Sequence, residues 1–272
     1  MNPGTDRRSF VTALGGFGIA GASGLLGLAG TAGAAPQGGQ IPKESQSPLE
    51  ALGRVPWPYK PLDAEAMAQQ ASVVYQRGGC MLAVFDPLVR TVAERLGSPY
   101  TAFPFAMFAY GAGGVAGWGT LCGALNGAAA AFSLLSGQPG AVISALLSWY
   151  EREALPDFLP TGARFPTVAS VAGSLLCHTS VTHWCKASGR RSASPERAER
   201  CAALSGSVAR KAAALLNAQA AGALIVPSPE EATLHCLSCH GAQGSLGNTA
   251  GRMSCAPCHS TAQTTAHGHP KT

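Results

Sequence analysis

The chain has 272 residues, of which 46% are apolar and 12% charged, with a formal net charge of +5. So few charges and so small an excess exclude a disordered polyelectrolyte and give no support to a nucleic-acid-binding surface. Nine cysteines and seven histidines turn attention to haem, metal or disulfide chemistry instead.

Paired arginines open the chain in Thr5-Asp6-Arg7-Arg8-Ser9-Phe10-Val11, ahead of an uncharged stretch from Thr12 to Ala35. Glycine recurs there every third residue from Gly18 to Gly33, and Ala32-Gly33-Ala34 offers a small-residue cleavage site. Residues 1–35 therefore read as a twin-arginine signal peptide. The stretch is long enough to span a bilayer, but its glycine load makes it weakly hydrophobic. Cleavage, delivery to the periplasm and no stable membrane anchor are expected.

Residues 36–62 are rich in Pro, Gly, Ser and Gln and end in Pro56-Trp57-Pro58-Tyr59-Lys60-Pro61. Closely spaced prolines exclude helix, so this is an extended lead-in. A helical body follows over residues 63–226. Asp63 is the N-cap of a first helix that Gly78-Gly79 ends near residue 76. Met81, Phe85, Leu88, Val92 and Leu96 have the spacing of an amphipathic second helix, with a kink or break expected at Pro87.

A proline- and aromatic-rich loop and the glycine-dense run from Gly111 to Gly119 lead to a buried helix over residues 120–136. Another helix is expected from about Gly140 to Glu153, then a loop and a short apolar stretch from Val168 to Cys177. A long helix from about Pro195 to Ala221 completes the body.

Beyond Pro227 the composition changes. Residues 227–272 carry four cysteines and five of the seven histidines with almost no aliphatic periodicity. Such a segment cannot build a core alone, so cofactors must organise it. The fold class expected is mainly α: a helical body with a small, cofactor-organised, largely irregular C-terminal domain.

That domain contains Cys236-Leu-Ser-Cys239-His240 and Cys255-Ala-Pro-Cys258-His259. C-x-x-C-H is the shortest peptide that tethers a haem through two thioethers and ligates its iron through the adjoining histidine. Covalent attachment of two c-type haems falls to Cys236, Cys239, Cys255 and Cys258, and proximal ligation to His240 and His259. The same cysteines have zinc-ribbon spacing, but zinc has no use for a histidine after each pair and needs no exported compartment.

Distal haem ligands would come from His178, His183, His235, His267 or His269, with His178 the first choice. Saturated iron favours electron transfer, whereas one open iron would allow a haem enzyme such as a small-molecule reductase. No Ser-His-Asp or paired-carboxylate motif points to a hydrolase.

Cys80, Cys122, Cys177, Cys185 and Cys201 lie outside these motifs. In an exported protein they could form two disulfides and a free thiol, or an iron–sulfur cluster with one spare. Cys80 follows Gly78-Gly79, and Cys122 opens Cys122-Gly-Ala-Leu-Asn-Gly127, so both sit at helix N-termini that stabilise thiolates.

Cys80, the turn at Cys122-Gly-Ala-Leu-Asn-Gly127, and Cys185 and Cys201 resemble the redox-active family with the pattern Cys…Gly-Cys-Ala-x-x-Gly…Cys…Cys. Gly123 and the Thr-Leu before Cys122 are departures from that pattern. Joined to a twin-arginine leader and two C-x-x-C-H motifs, this body resembles the split-Soret cytochromes c. The resemblance implies periplasmic homodimers that pass electrons to redox partner proteins. It also implies two close-packed bis-histidine haems per subunit and an iron–sulfur cluster of the 2Fe–2S type in the helical body.

Overall fold

The computed structural model describes residues 47–259. The expected signal peptide, the first part of the expected lead-in, and His267 and His269 lie outside the described residues.

Seven α-helices and one minimal sheet form the described chain. They run as α1 (Pro48–Gly53), α2 (Ala64–Leu96), α3 (Gly123–Leu135), α4 (Pro139–Arg152), β1 (Ala154–Leu155), β2 (Ser170–Val171), α5 (Cys177–Ser188), α6 (Pro195–Ala220) and α7 (Glu231–His240). β1 and β2 pair antiparallel over two residues each. The fold is mainly α, as the periodicity predicts.

Asp63 caps α2 by accepting hydrogen bonds from the amides of Glu65 and Ala66, both satisfying donors that a helix start leaves unpaired. The helix is interrupted at Gly78 and Gly79, where Gly79 takes a φ of 74° that favours glycine. Pro87, where a kink was expected, lies in continuous helical backbone. Its ring is buried with its neighbours in the core, and the glycine pair upstream already supplies the change of direction.

α2 is the central element, packed against α6 on one side and α3 on the other. Its inner face carries Val84, Phe85, Leu88 and Val89, all fully buried, against Leu125 and Phe132 of α3 and Val208 and Leu216 of α6 in one core. Two short 3-10 segments, Tyr100–Ala102 and Phe105–Gly111, close this core. Phe108 stacks on Phe85 with ring centroids 3.7 Å apart.

The approach of α3 to α2 is set by glycine. A Cβ on Gly127 would collide with the Met81 carbonyl oxygen, and one on Gly123 would collide with the Gly111 carbonyl oxygen. With no side chain at either position, the N-terminal turn of α3 lies directly on the Cys80–Met81 backbone. Cys122 is thereby brought beside Cys80.

The lead-in is held by one residue of α6. Asn217 Oδ1 accepts from Tyr59 Oη (2.6 Å) and from the Leu62 amide (3.0 Å), while its Nδ2 donates to the Leu62 carbonyl (2.8 Å). These bonds satisfy a proline-bounded stretch that has no helix or sheet partners of its own.

The structure departs from the sequence expectations at two further places. Residues 48–53, inside the lead-in expected to be extended, form α1: Pro48 sits in the first turn, where no amide partner is needed, and Ser47 and Glu50 form a capping box. α5 had no predicted counterpart. Its N-cap, Leu176, makes no side-chain bond, and it contains the β-branched Thr179, Val181 and Thr182. In the C-terminal segment the first C-x-x-C-H motif lies on α7, and residues 241–259 contain no further helix or strand, in keeping with the largely irregular segment expected.

Replacing Gly127 with alanine should lower stability by roughly 1–3 kcal/mol, the usual cost of overpacking a close contact. Gly137→Ala, where a new Cβ meets nothing within 4 Å, is the control and should change stability by less than about 0.5 kcal/mol. Denaturant unfolding of both variants makes the comparison; equal stability would remove the close approach as a constraint.

Candidate functional site

Four of the five body cysteines converge on one buried region from four parts of the chain. Cys80 begins the second half of α2, Cys122 is the N-cap of α3, Cys177 opens α5 and Cys201 lies on α6. The meeting of Cys122 with Cys177 rests on strand-like pairing just ahead of two helices. The Cys122 amide donates to the Leu175 carbonyl (2.9 Å) and the Cys177 amide to the Thr120 carbonyl (2.7 Å), around an antiparallel bridge between Leu121 and Leu176. Cys185 sits eight residues further along α5, about 12 Å of helical rise away, and stands apart from this group. None of the nine cysteines is in a disulfide.

Cys80 and Cys201 are hydrogen-bonded to each other. The bond to Cys80 and the adjoining Arg200 and Arg197 place the charge on Cys201, holding its pKa well below that of a free thiol. The same bond, burial and the surrounding sulfurs push Cys80 well above it. Burial raises Cys122, against a hydrogen bond from Tyr150 and the amides of Ala124 and Leu125 at the start of α3. Burial and the charges of Cys122 and Cys201 push Cys177 up to about 12.

Arg200 is the basic residue of this region. Only 5% of its surface is exposed, and among the described residues no carboxylate pairs with it. Its Nη2 donates to Ser180 Oγ (3.0 Å), its Nη1 lies 4.0 Å from Cys201 Sγ, and its Nε has no acceptor. Burial works to lower its pKa, but the negative charge of Cys201 raises it above its ordinary value. A buried cation needs a compensating anion, and here the anions available are sulfurs.

Among the described residues no three His, Cys, Asp or Glu side chains are arranged to enclose a single metal ion. A cluster of several irons is a larger object, and its thiolate ligands need not meet around one point. Four thiols from separate segments, with a buried cation that lacks a carboxylate, form a donor set suited to such a cluster.

The two C-x-x-C-H motifs lie beside one another. Cys236 on α7 and Cys255 are hydrogen-bonded, and burial, followed by the charge and hydrogen bond of Cys236, raises the pKa of Cys255. Cys239 and Cys258 are exposed. His240 Nδ1 lies 2.9 Å from Asn248 Oδ1. With Nδ1–H donating to that oxygen, Nε2 is the nitrogen presented to a metal. The amides of Cys258 and His259 both donate to the Cys255 carbonyl in a tight turn (3.2 and 3.0 Å).

These motifs dock against the body at the C-terminal end of α4. Glu151 Oε1 accepts from the Ser254 amide (3.1 Å), Ser174 Oγ lies 3.9 Å from Met253 Sδ, and Arg152 Nη2 donates to the Ser228 carbonyl (2.9 Å). Burial raises the pKa of Glu151. Of the body histidines, His178 is exposed next to Cys177, and His183 has its Nδ1 3.1 Å from the Val171 carbonyl. His235 lies on α7 one residue before Cys236.

Sequence reasoning missed Arg197, Arg200, Ser180 and Tyr150. Spacing gave a signal for one of them: Arg197 precedes Cys201 by four residues and so shares its face of α6. The assembling role of Cys177 also left a trace, since Leu121-Cys122 and Leu176-Cys177 are similar junctions, each opening a helix.

A family model described as "Putative redox-active protein (C_GCAxxG_C_C)" matches residues 85–215. A curated relative, "Split-Soret cytochrome c" of Desulfovibrio desulfuricans, is 38% identical over 220 residues, covering 76% of this chain and 79% of the relative. A solved structure from the same organism, described as a split-Soret cytochrome c with a novel iron centre, superposes with a TM-score of 0.71. It is 36% identical and the match covers 79% of this chain and 95% of that one.

In chain produced without haem, an alkylating reagent should label Cys239 and Cys258 well before Cys80, Cys122 and Cys201, which are 7%, 3% and 5% exposed. Mass-spectrometric mapping of the labels reads the order. Simultaneous labelling of all five would contradict the buried cluster of thiols.

Proposed function

Because this chain belongs to the split-Soret cytochrome c family, we propose that it is an exported electron carrier with two c-type haems and an iron–sulfur centre. The haems are tethered at Cys236, Cys239, Cys255 and Cys258, with His240 and His259 as proximal ligands. The centre, of the 2Fe–2S type, is held by Cys80, Cys122, Cys177 and Cys201. The chain acts in the periplasm, as a homodimer, and exchanges electrons with partner proteins there.

One observation carries this reading: the haem-binding motifs and the cysteine group are joined by a single short segment. Ser174 contacts Met253, two residues before the second motif, and Cys177 lies three residues further on, a span of at most about 10 Å. The path between the two sites therefore runs through protein, one side-chain contact and a short piece of chain, rather than solvent. The bound groups supply one-electron iron couples; the protein supplies their spacing and electrostatics.

Each chain residue has a definable task. Asn248 fixes the tautomer and ring direction of His240. Glu151 and Arg152 hold the haem-binding segment against α4. His178, exposed beside Cys177, is suited to distal ligation, which would close the iron to substrates and favour electron transfer over a reductase activity. Membership in a cytochrome c family also favours haem over a zinc ribbon at the C-x-x-C-H motifs. No helix among the described residues is long and apolar enough to cross a membrane.

Purified from its natural host, the protein should contain two covalently bound haems per chain, together with non-haem iron and acid-labile sulfide. Cys177→Ser should abolish the sulfide and leave both haems attached, whereas Cys185→Ser should retain all three. Loss of sulfide in the Cys185 variant, with retention in the Cys177 variant, would reassign the ligand set.

A further inference from the structure

Arg200 is chemically unusual for its position. A guanidinium 5% exposed, with no carboxylate partner among the described residues, would be strongly destabilising unless something anionic lay against it. Two contacts hold it beside the cysteine group. Nη1 approaches Cys201 Sγ directly at 4.0 Å, and Nη2 donates to Ser180 Oγ at 3.0 Å. Tyr150 Oη, fully buried, donates to the same Ser180 Oγ at 3.0 Å.

Arg200 has no acceptor capacity, so it must donate to Ser180. Tyr150 Oη donates to the same Ser180 Oγ, whose two lone pairs take both bonds. The guanidinium is thereby anchored with Nη1 toward Cys201 Sγ. Arg197, four residues before Cys201 on the same helix face, is only half-buried and also donates to the Ser192 carbonyl at 2.7 Å. Its charge is partly screened by solvent, which leaves Arg200 as the dominant local field.

We propose that Arg200, held in place by Ser180 and acting directly on Cys201, is the positioning residue that sets the reduction potential of the cysteine-held iron centre. This inference rests on the reading of Cys80, Cys122, Cys177 and Cys201 as ligands to iron. An iron centre held by Cys80, Cys122, Cys177 and Cys201 would supply a one-electron couple, with a ferrous c-type haem of the same chain as the reductant, itself becoming ferric. Arg200 would keep its protons throughout, and no proton transfer would accompany the electron. Negative charge added at the sulfurs would lie beside a fixed buried cation, so the cation would favour the reduced form.

The test is a redox titration of the holoprotein, following the iron–sulfur and haem signals separately, in wild type, Arg200→Met, Arg200→Lys and Ser180→Ala. Arg200→Met should lower the reduced-to-oxidised ratio of the cysteine centre at least tenfold at the wild-type midpoint, about 59 mV for a one-electron couple. Arg200→Lys should restore most of that ratio. Ser180→Ala, which removes the anchor of the guanidinium but keeps the charge, should give a smaller change of the same sign. The haem midpoints should move much less in every variant. If Arg200→Met does not assemble, the Ser180→Ala midpoint decides: a fall supports the inference and an unchanged value overturns it. An intact centre in Arg200→Met with the wild-type midpoint would overturn it alone. Wild-type protein lacking non-haem iron and acid-labile sulfide would instead overturn the reading of the centre on which it stands.

Discussion

A buried guanidinium facing buried sulfurs is the interaction around which the helical body is arranged. Arg200 cannot lose its charge and finds no carboxylate among the described residues, so the region around it must be negative. Cys201 meets that demand directly. Either partner alone would be costly to bury: thiolates resist desolvation as strongly as the cation does. Ser180, which accepts from both Arg200 and Tyr150, ties α4, α5 and α6 to one point. Iron bound by the sulfurs would distribute the same negative charge without altering that logic.

The second constraint is backbone proximity. Gly123 and Gly127 let α3 rest on the chain at Met81, and the Leu121–Leu176 bridge sets Cys177 beside Cys122. Both devices work through main chain, which leaves the space between the segments to the sulfurs. Tethering of the C-x-x-C-H motifs follows similar economy. Glu151 and Ser174 reach residues 253 and 254, so the cofactor-binding segment is joined to the body at one end of α4 without a core of its own.

Much of this was legible in the residues themselves. The haem motifs needed only spacing, and the Asp63 cap, the glycine break and the long helix from Pro195 followed from cap and periodicity rules. α5 was not legible because it lacks a polar cap and carries β-branched residues, and tertiary pairing ahead of Cys177 overrides both. Pro87 misled for the opposite reason: a local rule predicted a break that the packed core suppresses. The choice between Cys177 and Cys185 was hidden as well, since eight residues on one helix look adjacent in sequence but lie two turns apart. Arg200 was the least visible of all. A basic residue in a helix with alternating charges reads as a solvated face until its burial is known.

Mössbauer spectroscopy of holoprotein grown on iron-57 tests the central claim most directly. Two iron populations are predicted: low-spin haem iron, and tetrahedral sulfur-ligated iron that disappears when Cys201 is replaced by serine. A spectrum containing haem iron alone would contradict the account, leaving the buried sulfurs and their guanidinium without a shared ligand.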